Sequence, residues 1–145
     1  MLLGQYQLFL DGDYQMVLPE PFRELFDQGA YVTRGFEQNL LIMGEKEFQE
    51  IYGRVAGLNI ADPVARLLHR LILGNASKLD ITASGRIRFP QDLSLFAGLE
   101  KDIILVGQGG YCEVWSPSSW DKQTAILLDT AANSARFAQL DLALR

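Results

Sequence analysis

Thr82-Ala83-Ser84-Gly85-Arg86-Ile87-Arg88-Phe89-Pro90 repeats the plan of Asp11-Gly12-Asp13-Tyr14-Gln15-Met16-Val17-Leu18-Pro19, about seventy positions earlier. In each stretch a polar turn leads into alternating residues and ends on a proline. A short amphipathic segment then follows. An internal repeat constrains architecture before any single residue is interpreted. This one predicts two copies of a small β-rich unit folded against each other. The copies differ at the turn, where the second has Gly85-Arg86 and the first Tyr14-Gln15.

Outward from this pair, the same order of elements is expected twice. Gly4 to Leu10 reads as a strand, Asp11-Gly12-Asp13 as a tight turn and Gln15 to Leu18 as the return strand. Pro19 and Pro21 stop it, and Phe22 to Phe26 forms a short helix. Ala30 to Arg34 and Asn39 to Met43 make a hairpin, and Glu45 to Gly53 begins a helix. Asp62 before Pro63 is an N-cap with proline in the first helical position. Val64, Leu67, Leu68, Leu71 and Ile72 follow at helical spacing until Gly74-Asn75 closes the helix.

The pattern then restarts: a strand at Lys78 to Ile81, a turn, a strand at Arg86 to Phe89, and a helical turn at Gln91 to Phe96. Ile103 to Val106 and Tyr111 to Trp115 form the second hairpin, and Ser116-Pro117-Ser118-Ser119 caps a helix containing Trp120. The tail from Ala132 to Arg145 is either a docking helix or a frayed end. The domain plan is a first repeat over 5–47, a helical linker over 48–74, a second repeat over 75–118 and a C-terminal helical segment over 119–145. Neither half carries enough strands to bury a two-sided sheet alone. The expected fold is therefore mainly β with short helices (α+β), its strands closed into one shared barrel with hairpins exchanged between the halves.

Composition narrows the function. With 48% hydrophobic and 21% charged residues in 145, the chain is an ordinary globular protein, far from the disordered class. No apolar run reaches the roughly 18 residues of a membrane span, and no secretory signal is read at the N-terminus. One cysteine cannot form an internal disulfide, which fits a reducing cytoplasm. A net charge of −5 argues against indiscriminate nucleic-acid binding, which draws on phosphate neutralisation. The basic residues are nonetheless uneven: Lys78, Arg86, Arg88 and Lys101 gather in the second copy, where the first has Asp11, Asp13 and Glu20 with Arg23.

Other chemistry finds little support. His69 is the single histidine and lies beside an apolar stripe, and Cys112 reads as a buried small apolar residue. One Cys and one His cannot supply a zinc site of the usual ligand types. The carboxylates show no spacing for acid–base work or a calcium loop. Gly107-Gln108-Gly109-Gly110 lacks the following Lys-Ser/Thr and helix of a phosphate cradle, so it reads as a hairpin turn. The reading is a non-enzyme with no cofactor, no metal, no membrane attachment and no small-molecule substrate.

Thr82-x-x-Gly85-Arg86-x-x-x-Pro90 resembles the D-x-K/Q-G-R-x-x-x-P signature of the AbrB-like (SpoVT-AbrB) DNA-binding hairpin. With the duplication, the linker ending Arg70-Leu71-Ile72-Leu73-Gly74-Asn75-Ala76, Leu105-Val106-Gly107 and Glu113-Val114-Trp115, the chain resembles the MraZ family from about Gly4 to Trp120. That resemblance implies a swapped-hairpin barrel, ring-like homo-oligomers and a cytoplasmic, nucleoid-associated regulator of a division and cell-wall gene cluster. It would bind double-stranded DNA at direct repeats in a promoter. Carried over by position, Ser84 takes the Lys/Gln place, Gly85 the turn glycine and Arg86 the DNA-contacting arginine. The first copy matches at Asp11 and Pro19 only; Asp13, Tyr14 and Gln15 replace lysine, glycine and arginine.

Strand alternation supplies the physical side of this reading. Arg86 and Arg88 point to one face, roughly 7 Å apart, and Ile87 and Phe89 to the other. Such a pair suits successive phosphates, or a phosphate and a guanine edge. Gly85 would allow a positive φ in the turn. The first copy keeps inward Met16 and Leu18 but turns Gln15 and Val17 outward, so it has lost cations. Two readings of it stand: a solvated turn without a DNA role, or a weakened contact in which Gln15 reads adenine. The expected contact set is Arg86, Arg88, Ser84, Gly85 and Gln15. The competing function is an oligomeric scaffold that acts through protein partners and binds no DNA.

Overall fold

The strands pair across the repeats more than within them. The computed structural model describes residues 1–141, with eight strands and six α-helices among them. The first repeat contributes β1 (Gln5–Phe9), β2 (Gln15–Val17), α1 (Glu20–Leu25), β3 (Ala30–Arg34) and β4 (Leu40–Gly44). Helices α2 (Glu45–Ala56) and α3 (Pro63–Ile72) lead to β5 (Ser77–Leu79), β6 (Arg86–Arg88), α4 (Gln91–Phe96), β7 (Asp102–Gly107) and β8 (Tyr111–Trp115). Helices α5 (Pro117–Leu127) and α6 (Thr130–Phe137) follow. Of the C-terminal segment expected over 119–145, residues 142–145 lie outside the described residues.

An antiparallel sheet of six strands runs β1-β7-β8-β4-β3-β5. Its order reads the same from either end when the repeats are interchanged, with β4 and β8 at the centre. Strand β1 lies on β7 of the other repeat, Tyr6 opposite Leu105, and β5 lies on β3, Tyr31 opposite Lys78. Each repeat thus completes the other's sheet, which is the exchange expected from two halves too small to stand alone.

The return strand β2 does not fold back on β1. It pairs with β6, its equivalent in the second repeat, with Met16 opposite Ile87. The α+β fold built from two repeats is the one that forms, but hydrogen bonding does not close its strands into the expected barrel. The β2–β6 ribbon is a separate two-stranded sheet, and β1 and β5 end the larger one. With three residues each, β2 and β6 use their backbone groups on one another and on the flanking turns, leaving no ladder to join the six-stranded sheet.

One apolar cluster spans both halves. Met16, Leu18 and Phe22 are buried beside their counterparts Ile87, Phe89 and Leu93, together with Val32, Ile42, Leu105 and Val114 of the sheet. Each such side chain is worth about 1.5–3 kcal/mol of burial, so the shared core holds the repeats together. Proline sets the passage from ribbon to helix. Pro19 and Pro90 have φ −56° in both copies and take the N-cap positions of α1 and α4. Lacking an N–H, neither can extend a ladder.

The linker helix starts as its sequence dictates: the Asp62 carboxylate accepts from Val64 N at 2.9 Å and Pro63 opens the first turn. Its buried residues are Ala65 and Ile72, whereas Val64 and Leu67 of the expected apolar stripe face outward. Thr33 Oγ1 fastens the far end by donating to the Ile72 carbonyl at 2.6 Å. Ser116 caps α5 by accepting from Ser119 N at 3.2 Å. The C-terminal helix is held at its start, since Asn133 Nδ2 donates to the Ile126 and Leu127 carbonyls at the end of α5. Among the described residues no helix is long and apolar enough to cross a membrane.

Candidate nucleic-acid interface

The two turns that open the ribbon are built alike. Tyr14 N donates to the Asp11 carbonyl at 3.1 Å, and Gly85 N to the Thr82 carbonyl at 2.9 Å. A side-chain oxygen at each first corner ties down the strand behind it. Asp11 Oδ1 accepts from Gln15 N at 2.9 Å, and Thr82 Oγ1 from Arg86 N at 3.0 Å. Threonine thus supplies the one acceptor its aspartate equivalent uses there. Asp11 does more, because Oδ1 also accepts from Asp13 N at 2.9 Å. This closes an Asx turn.

Both turns need a residue with positive φ before the strand. Gly85 has φ +80°, as its place in the signature anticipates, and Tyr14 has φ +57°. Glycine reaches this region without a steric penalty, whereas a tyrosine there is held by its surroundings. Tyr14 packs against the core cluster. Beneath Gly85 lies Arg23 of the other repeat, whose Nε donates to the Leu18 carbonyl at 2.9 Å.

The ribbon's two faces separate as alternation requires. Met16 and Ile87 face the core, while Val17 lies opposite Arg86 and Gln15 opposite Arg88 on the outer face. Both arginines are exposed. Gln15 and the second-repeat arginines, seventy residues apart in the chain, are therefore cross-strand neighbours. Ser84 is exposed at the tip of the second turn, 3.0 Å from Thr82 Oγ1. All five expected contact residues fall on this one ribbon and its turn.

Each guanidinium has a first-repeat neighbour. Arg86 Nη1 lies 3.6 Å from Asp11 Oδ2, in an ion pair whose side chains are both 48% exposed. The Gln15 amide lies between the arginines. With its oxygen toward Arg86 it accepts from Nη1 at a long 3.4 Å, leaving its NH2 facing Arg88 donors. Turned over, the oxygen accepts from Arg88 Nε at 3.2 Å and from Arg88 Nη2. The second orientation gives the oxygen two donors in place of the one long contact from Arg86 and is favoured. The Asp11 carboxyl is held below its ordinary value of 3.8, first by the Gln15 amide and then by that of Asp13 and the charges of Arg86 and Arg88.

The two lysines of the basic cluster separate. Lys78 borders the same groove as Arg86 and Arg88, a shallow space of about 390 Å³ that also contains Asp80. Lys101 lies instead on the side of the Asp11 turn. Sequence reasoning missed Asp11 as a partner of Arg86 and Arg23 as the support under Gly85. Pairing the two copies symmetrically, with Met16 on Ile87, would have put Gln15 opposite Arg88.

Known proteins carry the same double plan. The MraZ protein family model matches twice, over residues 1–71 and 72–141. A protein of Thermomicrobium roseum named transcriptional regulator MraZ is 34% identical over 96% of both chains. Proteins of the same name from Herpetosiphon aurantiacus and Cytophaga hutchinsonii are 35% and 33% identical, over 93% and 97% of this chain and 92% and 93% of theirs. Two family matches covering nearly every residue, with relatives of that identity over more than nine-tenths of their length, show that this chain belongs to the MraZ family.

Proposed function

We propose that this chain is a DNA-binding transcriptional regulator whose contact surface is the outer face of the β2–β6 ribbon. The observation that carries the reading is the pair of exposed guanidinium groups, Arg86 and Arg88, two residues apart on a strand backed by the core. A two-stranded ribbon is narrow enough for the major groove, where arginine donates to guanine O6 and N7. The relatives' name, transcriptional regulator, supports the same reading. Arg86, Arg88 and the Ser84-Gly85 turn make up the contact set, with Gln15 beside the arginines on the same face, and direct repeats in a promoter are the target.

One ribbon with two arginines is a weak binder in a chain of net charge −5. Affinity then comes from several ribbons held together in a ring-like homo-oligomer, where linked weak contacts act at high effective concentration. Selection of bound sequences from random DNA at low salt defines the repeat. Gel-shift titration against one, two and four copies then tests the mechanism, with steep gain across the series expected. Equal affinity for all three refutes multivalency. Arg86→Ala removes about 1–3 kcal/mol of binding to the selected site. Failure of the wild-type chain to bind any duplex at low salt replaces this reading with that of a scaffold acting through protein partners.

A further inference from the structure

We infer that Asp11 and Gln15 of the first repeat are positioning residues that aim Arg86 and Arg88 of the second. The inference rests on the ribbon being the DNA-contacting surface, and it assigns a task to the repeat whose cations are missing. An exposed arginine on a short strand samples many rotamers and pays for ordering when it meets a base edge. Here each guanidinium meets a first-repeat acceptor before any ligand arrives. Gln15 faces Arg88 in register, and its amide oxygen takes the Nε and Nη2 protons. The Arg88 side chain as a whole stays exposed.

Asp11 is a holder that is itself held. Its Oδ1 is committed to the Asp13 and Gln15 amides at 2.9 Å, so the carboxylate cannot swing away, and Oδ2 stays 3.6 Å from Arg86 Nη1. Two second-repeat readers are thus fixed by two first-repeat side chains across the ribbon. Asp11 also has an opposing effect, because its charge offsets that of Arg86 toward any phosphate. The pair exchanges general attraction for defined geometry, and geometry is what discriminates between bases.

Gln15→Leu keeps the bulk of the side chain and removes its acceptor; Asp11→Asn keeps the turn acceptor and removes the charge. In the full-length protein without DNA, NMR measures exchange of the Arg88 Nε–H with water. Several-fold faster exchange in Gln15→Leu than in wild type is expected. Gel shifts then compare the selected duplex with a random duplex of equal length. Gln15→Leu should keep the random-duplex affinity and its salt slope while the selected-to-random ratio falls about tenfold. Asp11→Asn should bind random duplex more tightly and lower the same ratio. Equal Nε–H exchange in wild type and Gln15→Leu overturns the inference. So does an equal loss on both duplexes, which would make Gln15 a phosphate contact. If wild type binds no duplex, the proposed function fails, and the exchange measurement still decides whether Arg88 is held.

Discussion

Tyr14 and Gly85 occupy the same corner of the two turns, and the backbone carbonyl of each accepts a bond from the opposite repeat. Phe89 N donates to Tyr14 and Leu18 N to Gly85, both at 2.9 Å. The turns that carry the candidate contact residues are therefore also where the ribbon is tied at its two ends. The candidate interface and the ties of the fold lie on the same two turns.

That sharing makes Gly85 sensitive to substitution. A Cβ there would run into the Arg23 guanidinium, and alanine at φ +80° is strained in any surroundings. Gly85→Ala is expected to cost about 1–3 kcal/mol in urea unfolding. With Arg23→Ala already present, only the backbone strain of about 1–2 kcal/mol should remain. A double-mutant cycle reads the difference as coupling between the two sites.

Glu113 is expected to matter more than a strand carboxylate usually does. It accepts from Gln108 Nε2 at 2.9 Å, Trp115 Nε1 at 3.2 Å and Asn39 Nδ2 at 3.1 Å, and Asn39 is fully buried. Glu113→Ala leaves the Asn39 amide without its acceptor. The expected loss is about 1–3 kcal/mol by chemical denaturation.

The Asp11 carboxyl gives a pH dependence of known sign. Its folded value lies below 3.8, so its ionised form contributes stability that is present above the unfolded value and lost as pH falls through the lower folded one. The stability difference between wild type and Asp11→Asn should be flat from neutral pH down to about 5 and should change only in more acidic solution. Denaturation midpoints of both proteins across that range measure it.

Cys112 reports on opening of the central sheet. It is fully buried on β8, opposite Ile42 of β4, and burial pushes its thiol well above the ordinary range. Alkylation of the native protein at pH 8 should therefore track unfolding, and should accelerate in Gly85→Ala and Glu113→Ala as their stability drops.

Much of this was legible along the chain. Pro19 and Pro90 marked where strands end, Asp62 and Ser116 where helices begin, and Gly85 the positive φ of its turn. Alternation correctly sent Met16, Leu18, Ile87 and Phe89 inward. Other features were not legible. The apolar spacing in the linker helix gave no sign that Val64 and Leu67 would stay outside, because a stripe says which residues share a face and not whether that face is covered. The expected barrel did not close, since the ribbon's short strands spend their backbone bonds on each other.

The chain itself specified turn chemistry, strand alternation and two matching sets of inward side chains, all of which depend on residues a few positions apart. Only the folded molecule decided that Gln15 faces Arg88 and that Asp11 reaches Arg86. Backbone bonds between strands carry no sequence label, so that register is chosen by burying Met16 and Ile87 in one common core.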